Sequence, residues 1–160
     1  MPKLEVGSMD SIKTGFEAIP EQKKVRVKVV PPAEGQSEVY NDPEGRFAIA
    51  KFNLQIQEGQ YANRRVQFSA FCAVKQDVYT SWNLKTEGRA MTQEEKLAAY
   101  ERRDYLRDLK RFSDAIGVNF ETDSTEDCYG KELLIDIKVK EDENGEKQNE
   151  AKNPKKAPVA

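Results

Sequence analysis

The chain has no histidine and only two cysteines, so it lacks most of the side chains that enzymes use for proton transfer, nucleophilic attack and zinc binding. Cys72 and Cys128 have neither a CxxC spacing nor a histidine to activate them, and we expect reduced thiols. A nuclease can work with carboxylates alone, but it needs several that converge, and Asp136 is the only one set inside a well-defined strand pattern. We therefore predict a protein that is not an enzyme and that uses no metal or cofactor.

Long apolar runs are absent as well. No stretch could cross a bilayer, and Met1 to Glu17 has no hydrophobic segment of the kind found in signal peptides. These two features predict a cytoplasmic protein without membrane contact.

The net charge is only -2, but the charge is unevenly distributed along the chain. Residues 22–89 carry 11 Lys and Arg against 7 Asp and Glu, whereas residues 117–150 carry 4 against 11. A basic segment can bind phosphates even in a mildly acidic chain, because electrostatic interactions act locally in salt. Solvation of an exposed strand face is the alternative role for these cations, and it stays open at this point.

Alternation of apolar and polar residues predicts five strands, at residues 23–30, 46–57, 65–75, 132–140 and 146–152. Phe47 and Ile49 are out of phase with Phe52 and Leu54, which predicts a β-bulge near Ala50. Asn144-Gly145 is a strong hairpin signal before the last strand.

A single helix is predicted between the third and fourth strands. It begins at a capping box formed by Thr92 and Glu95, and it ends at Gly117. Its many cations alternate with acidic residues, and we assign them to a solvated face. The carboxylates of residues 121–127 do not fit the spacing of a calcium loop, and we predict a solvated acidic loop there.

Phe71 is the most informative position, because strand parity places this large ring on the outer face among cations. Two long connections, residues 31–45 and 76–91, contribute the aromatic residues Tyr40, Tyr79 and Trp82. Aromatic rings next to Lys and Arg are typical of surfaces that bind single-stranded nucleic acid. A covering of Phe71 by the 76–91 connection or by the N-terminal segment is the competing interpretation.

The order of elements predicts a mostly β fold, a five-stranded OB-fold barrel with one α-helix between strands 3 and 4. We divide the chain into a lead-in segment (1–20), the OB-fold domain (21–153) and a disordered tail (154–160).

Several segments together resemble phage-encoded single-stranded DNA-binding proteins of the OB type, including a phage family long catalogued as of unknown function. The resemblance spans about residues 16 to 154, and its segments are FEAIPE before VRVKVV, KFNLQIQEGQYANRRVQF, LKRFSDAIGV, and YGKELLIDIKVK followed by a turn and NEAKNP. The chain departs from the resemblance at its basic end, where such proteins often carry an acidic tail, and at Ala151 and Asn153, which predict a weakly formed last strand.

The resemblance implies a non-sequence-specific single-stranded DNA-binding protein of phage DNA replication or recombination, located in the cytoplasm of the host cell. It implies a ligand face on Lys51, Asn53, Arg65 and Phe71, flanked by the loops that hold Tyr40, Tyr79 and Trp82. The complete set of candidate nucleic-acid-binding residues is Lys28, Tyr40, Arg46, Lys51, Asn53, Arg64, Arg65, Phe71, Tyr79 and Trp82. Replication or recombination proteins as partners, a homo-oligomer, and an OB-fold module that binds protein without nucleic acid (a phage assembly or inhibitor protein) are left open.

Overall fold

A computed structural model of the protein describes residues 18–158, in which antiparallel strands take up more of the chain than helices do. In chain order the strands are β1 (Gln22–Val30), β2 (Val39–Asn41), β3 (Phe47–Ile56), β4 (Arg65–Val74), β5 (Lys85–Thr86), β6 (Arg89–Ala90), β7 (Glu132–Glu141) and β8 (Lys147–Lys156). The five long strands are ordered β4-β3-β1-β7-β8, and the short β2 extends the sheet beside β3. The predicted mostly β class is confirmed. The described sheet is open, and its edge strands β4 and β8 lie close together without a hydrogen-bonded ladder.

The strands form where apolar residues recur at every second position, because successive side chains point to opposite faces of a sheet. Val27 and Val29 of β1, Leu54 of β3, and Ile135 and Ile137 of β7 are all buried inside. Most of their neighbours in sequence, such as Lys28 and Asn53, are polar and face outward. One face of the sheet therefore makes the core, and the other is available for function.

Asp136 of β7 lies between two β-bulges. Lys24 in β1 and Asn153 in β8 each adopt a left-handed backbone next to it. The Lys24 N–H donates to one carboxylate oxygen at 3.1 Å, and the Asn153 amide donates to the other at 2.9 Å. The bond from Asn153 is the main cause that lowers the pKa of Asp136. One carboxylate thus accepts the backbone N–H of one bulge residue and the side-chain amide of the other.

The last strand is longer and better packed than predicted. Ala151 is buried, and Asn153 is the residue that closes the bulge against Asp136. The prediction of a weak edge is wrong, because a small residue fits the core where a larger apolar one was expected. The prediction of a disordered tail from residue 154 is wrong for residues 154–156, which continue β8 to Lys156. Most of the lead-in and the last two residues lie outside the described residues.

Three helices lie between β4 and β7: α1 (Gln76–Ser81), α2 (Gln93–Glu101) and α3 (Arg107–Ile116). The prediction of one continuous helix is wrong, because Arg103 adopts a left-handed backbone and a 3₁₀ turn over Asp104–Leu106 follows it. The break has a packing reason: α2 buries Ala99 in a small second cluster, whereas α3 buries Phe112 in the main core. The capping box that begins α2 and the left-handed Gly117 that ends α3 are present.

Two further connections have more structure than predicted. Residues 76–91 contain α1 and the β5-β6 hairpin, and the acidic segment 121–127 leads into a 3₁₀ turn over Thr125–Cys128. None of the helices in the described part of the chain has the length and hydropathy to cross a membrane. Cys72 and Cys128 are free thiols, and burial raises the pKa of Cys128 to about 12.

Phe112 anchors the helical region to the sheet. Its ring is fully buried and stacks on Phe52 of β3 at 4.4 Å and on Phe68 of β4 at 5.0 Å between centroids. Aromatic pairs at this spacing stabilise a core beyond the area that they bury.

We predict that Phe112→Ala lowers the free energy of unfolding by about 3–5 kcal/mol, because it leaves a large cavity between the rings of Phe52 and Phe68. Arg111→Ala, at the exposed neighbouring position, is the matched control and should change stability by less than about 0.5 kcal/mol. Chemical denaturation of both variants measures the difference. An equal, small effect of the two substitutions would show that α3 does not close the core.

Candidate nucleic-acid interface

The outer face of β1, β3 and β4 brings six of the predicted residues onto one surface. Backbone pairing sets Lys28, Gln55 and Arg65 in one row across the three strands. Asn53 lies opposite Gln67, and Lys51 lies opposite Ser69. Tyr40, Ile49 and Phe71 form the last row, in which β2 replaces β1. The surface therefore changes from cationic and amide-rich at one end to aromatic at the other.

The cations at the polar end are available to a ligand. Lys28, Lys51 and Arg65 make no ion pair with any residue between 18 and 158. Lys51 instead holds its ammonium group 5.2 Å from the centre of the Tyr40 ring, within range of a cation–π interaction. No carboxylate of the described chain neutralises these positive charges, and they can attract phosphate groups.

The aromatic end is a continuous line of rings. Tyr40 lies 6.4 Å from Phe47, Phe47 lies edge-on to Phe71 at 5.8 Å, and Phe71 lies 5.2 Å from Trp82. Tyr40 is 42% exposed, while Phe47, Phe71 and Trp82 are half-buried. The line therefore offers partly exposed π-faces whose positions are fixed by their neighbours.

Phe47 and Ile49 are out of phase with the buried residues of β3 for a reason other than the predicted bulge. Ile49 continues the outward set of β3, and Phe47 packs against Phe71 in the second cluster, so no bulge is needed at Ala50. The bulge lies in the β3-β4 pair at Cys72, which has no partner because Ile49 pairs with Phe71 and Ala48 pairs with Ala73. The extra residue follows Phe71, and the predicted outward direction of Phe71 is retained.

Residues 76–91 partly cover this end of the face. Trp82 contacts Phe71, so the competing interpretation of Phe71 as a covered ring is correct for part of its surface. Tyr79 is only 6% exposed and packs against Trp82 and Tyr100. The prediction of Tyr79 as a ligand contact is wrong on grounds of access: α1 turns its ring inward, and it supports Trp82 from behind.

Arg46 is on the same side of the molecule but is already engaged. Its guanidinium donates two hydrogen bonds to the carboxylate of Asp42, at 2.8 and 2.9 Å. Asp42 is almost completely buried, and this pairing lowers its pKa to about 2. Arg46 therefore acts mainly as the partner of a buried carboxylate, a role that the Asp-Pro-Glu-Gly-Arg turn sequence could have indicated.

Arg64 lies apart from the aromatic end. It belongs to the turn between β3 and β4, where its guanidinium is 6.0 Å from the centre of the Tyr61 ring. It therefore flanks the polar end of the face next to Arg65.

Tyr40 is held in place by residues that the sequence did not single out. We call residues 38–46 the arm. At its start, the Glu38 carboxylate accepts hydrogen bonds from the hydroxyls of Tyr129 and Thr125, and the Glu38 carbonyl accepts from the Lys51 N–H at 2.7 Å. At its end, the Asp42-Arg46 pair closes the turn. Tyr40 thus stands between two anchored points.

A depression lies on the helical side of the molecule. It has a volume of about 1010 Å³ and is lined by α3, residues 102–104 and 106 before it, residues 117–121, and Cys72. Its cations Arg102, Arg107 and Lys110 each contact a carboxylate of Asp104 or Asp114. This pairing agrees with a solvated helix face, and the outer face of β3 and β4 remains the better candidate.

Comparisons with known proteins add no further information. No protein-family model, no curated protein and no solved structure matches the chain.

We predict that Tyr129→Phe loosens the arm. It removes a hydrogen bond to a carboxylate, which is worth about 1.5–3 kcal/mol, and amide exchange at Lys51 should become faster. The bond to Glu38 is also the main cause that raises the pKa of Tyr129 from 10.0 to about 12. A raised pKa adds stability below pH 10 that is lost as the pH rises towards 12, so the variant should show a smaller loss over this interval.

Tyr61→Phe is the control for this substitution, because no hydrogen bond of the Tyr61 hydroxyl is present in the described part of the chain. Unchanged exchange at Lys51 in Tyr129→Phe would mean that Glu38 does not anchor the arm.

Proposed function

We propose that the chain is a phage-encoded single-stranded DNA-binding protein of the OB-fold type, which acts in DNA replication or recombination in the host cytoplasm and catalyses no reaction. The sheet order is compatible with this fold. With β2 set aside, the first long strand lies between the second and the fourth, and the third and fifth lie at the edges close to each other. An OB-fold is a partly open five-stranded barrel that binds ligands on the face of its second and third strands.

One observation carries the proposal: cations that form no ion pair in the described part of the chain share the outer face of β1, β3 and β4 with partly exposed aromatic rings. Lys28, Lys51 and Arg65 attract phosphates, and the amides of Asn53 and Gln67 can bond to phosphate or sugar oxygens. Bases stack on Tyr40 and on the exposed surfaces of Phe71 and Trp82. Cations alone or aromatic rings alone would be weak support. Here the contacts that a single strand needs, to its phosphates and to its bases, are available on one surface.

The mechanism explains a preference for single strands and a low sequence selectivity. Stacking and phosphate contacts use π-faces and charge, which all nucleotides share. The bases of a duplex are paired and stacked inside it, so they cannot reach Tyr40. Duplex DNA should therefore bind through its phosphates alone.

A protein-binding OB module is the second candidate. It is favoured by Val39 and Tyr40, which are the exposed large hydrophobic residues of the described chain and are consecutive in the arm, on opposite faces of β2. Titration of the intrinsic fluorescence separates the candidates, because Trp82 is the only tryptophan. Oligothymidylate should quench its emission if bases stack in the site, whereas a protein-binding module should show no change.

We predict that affinity for a single strand falls steeply with salt. Lys28, Lys51, Arg64 and Arg65 can neutralise about four phosphates, which gives a slope of about -3 in a plot of log affinity against log salt. Fluorescence titrations across a salt series measure the slope. An affinity that does not change with salt would contradict the phosphate contacts. Equal affinity for duplex DNA would contradict the stacking of bases.

Tyr40→Ala should weaken single-strand binding by about 1–3 kcal/mol, the usual value of one stacked base. The melting temperature should change little, because the ring is 42% exposed. Val39→Ala is the matched control: it truncates the neighbouring side chain of the same short strand, which points to the opposite face. Equal losses in the two variants would indicate that β2 was disturbed and that the ring does not stack.

A further inference from the structure

The outer surface of β1, β7 and β8 is a second basic area, which the proposed site does not include. Register places Arg26 and Lys155 on either side of Leu134. Lys152 lies opposite Asp136, and Lys24 projects from the bulge on the other side of Asp136. We call this area the basic face, and its cations are Lys24, Arg26, Lys138, Lys152 and Lys155.

The acidic residues of the basic face are already engaged. Glu132 pairs with Arg26 at 2.9 Å, and Glu150 lies within 3.4 Å of Lys140 and 3.9 Å of Lys152. Asp136 accepts from the Lys24 N–H and from the Asn153 amide. Within residues 18–158, Lys24, Lys138 and Lys155 form no ion pair, and Lys138 and Lys155 attract the Asp136 carboxylate only from a distance. The five cations of the basic face outnumber Glu132, Asp136 and Glu150, so the face keeps an excess of positive charge.

The basic face is continuous with the proposed site. Lys28 is paired with Gln55 on one side and with Glu132 on the other, so the row that begins at Arg65 continues onto β7. From β4 to β8 there are four steps between neighbouring strands, which makes about 19 Å at roughly 4.8 Å a step. A strand of nucleic acid that passes Lys28 therefore reaches the basic face at Glu132, whose charge is paired with Arg26.

The two areas differ in chemistry. β1, β7 and β8 contain no aromatic residue. The basic face can hold phosphates but offers no ring for a base.

We propose that a single strand longer than the aromatic site continues across β1 onto β7 and β8, where Lys24, Lys138 and Lys155 hold its phosphates and its bases face the solvent. This inference rests on the proposed function and adds to it a second, backbone-only segment of the same ligand. OB-folds occupy from about 4 to 16 nucleotides depending on the protein and the mode of binding. The basic face predicts that this protein uses the long end of that range.

The test compares the affinities of two oligothymidylates, one of about 6 and one of about 25 nucleotides, and fluorescence titration measures both. The variant combines Lys24→Asn, Lys138→Gln and Lys155→Gln. Asparagine is chosen because it tolerates the left-handed backbone at position 24. The control combines Arg107→Gln, Lys110→Gln and Arg111→Gln, which removes the same charge from the exposed face of α3.

We expect the variant to bind the short oligonucleotide within twofold of the wild type and the long one about tenfold more weakly, with a salt slope reduced by about 2 for three lost contacts. The control should bind both as the wild type does. An equal loss for the two lengths, no loss for the long one, or an equal loss in the control would overturn the inference while the proposed function stands. No binding of either oligonucleotide by the wild type would overturn both.

Discussion

The pleat of β3 is the constraint on which the rest of the structure depends. β3 is hydrogen-bonded to β4 along one side, and to β2 and β1 in succession along the other. Its inward residues Phe52 and Leu54 make the centre of the core, while its outward residues Lys51 and Asn53 make the centre of the proposed site. Because successive residues face opposite ways, packing of the core fixes the position of the ligand face. The core and the site cannot shift independently.

At the aromatic end of the face, the rings are packed against one another and still keep part of their surface exposed. Phe71 has Phe47 on one side and Trp82 on the other, and each contact hides part of its surface. Tyr40 is the most accessible ring, and it depends on the arm for its position. Fixed rings suit stacking, because little conformational freedom is lost when a base binds. The cost is that substitutions at Phe71 affect both packing and binding.

Strands were predictable from the sequence because period-2 alternation is a direct result of the pleat, as in β1 and β7. The outward direction of the Phe71 side chain was predictable from the same alternation. The broken helix was not predictable in this way, because one apolar stripe cannot show that Ala99 and Phe112 belong to different clusters. The burial of Tyr79 depends on how α1 docks, and the Glu38-Tyr129 bond joins residues far apart in sequence, so neither leaves a local signal. Phe47 and Ile49 did leave a local signal, because they are out of phase with Phe52 and Leu54. That signal fits both a bulge and a residue that packs in a second cluster.

The most direct test of the central claim maps the amide chemical-shift changes of the labelled protein on addition of oligothymidylate. If the outer face of β3 and β4 binds the strand, the largest changes should fall on Tyr40, Lys51, Arg65 and Phe71, with the Trp82 side chain moving in parallel. Changes centred on α3 and the depression beside it would contradict the account, and so would the absence of any change.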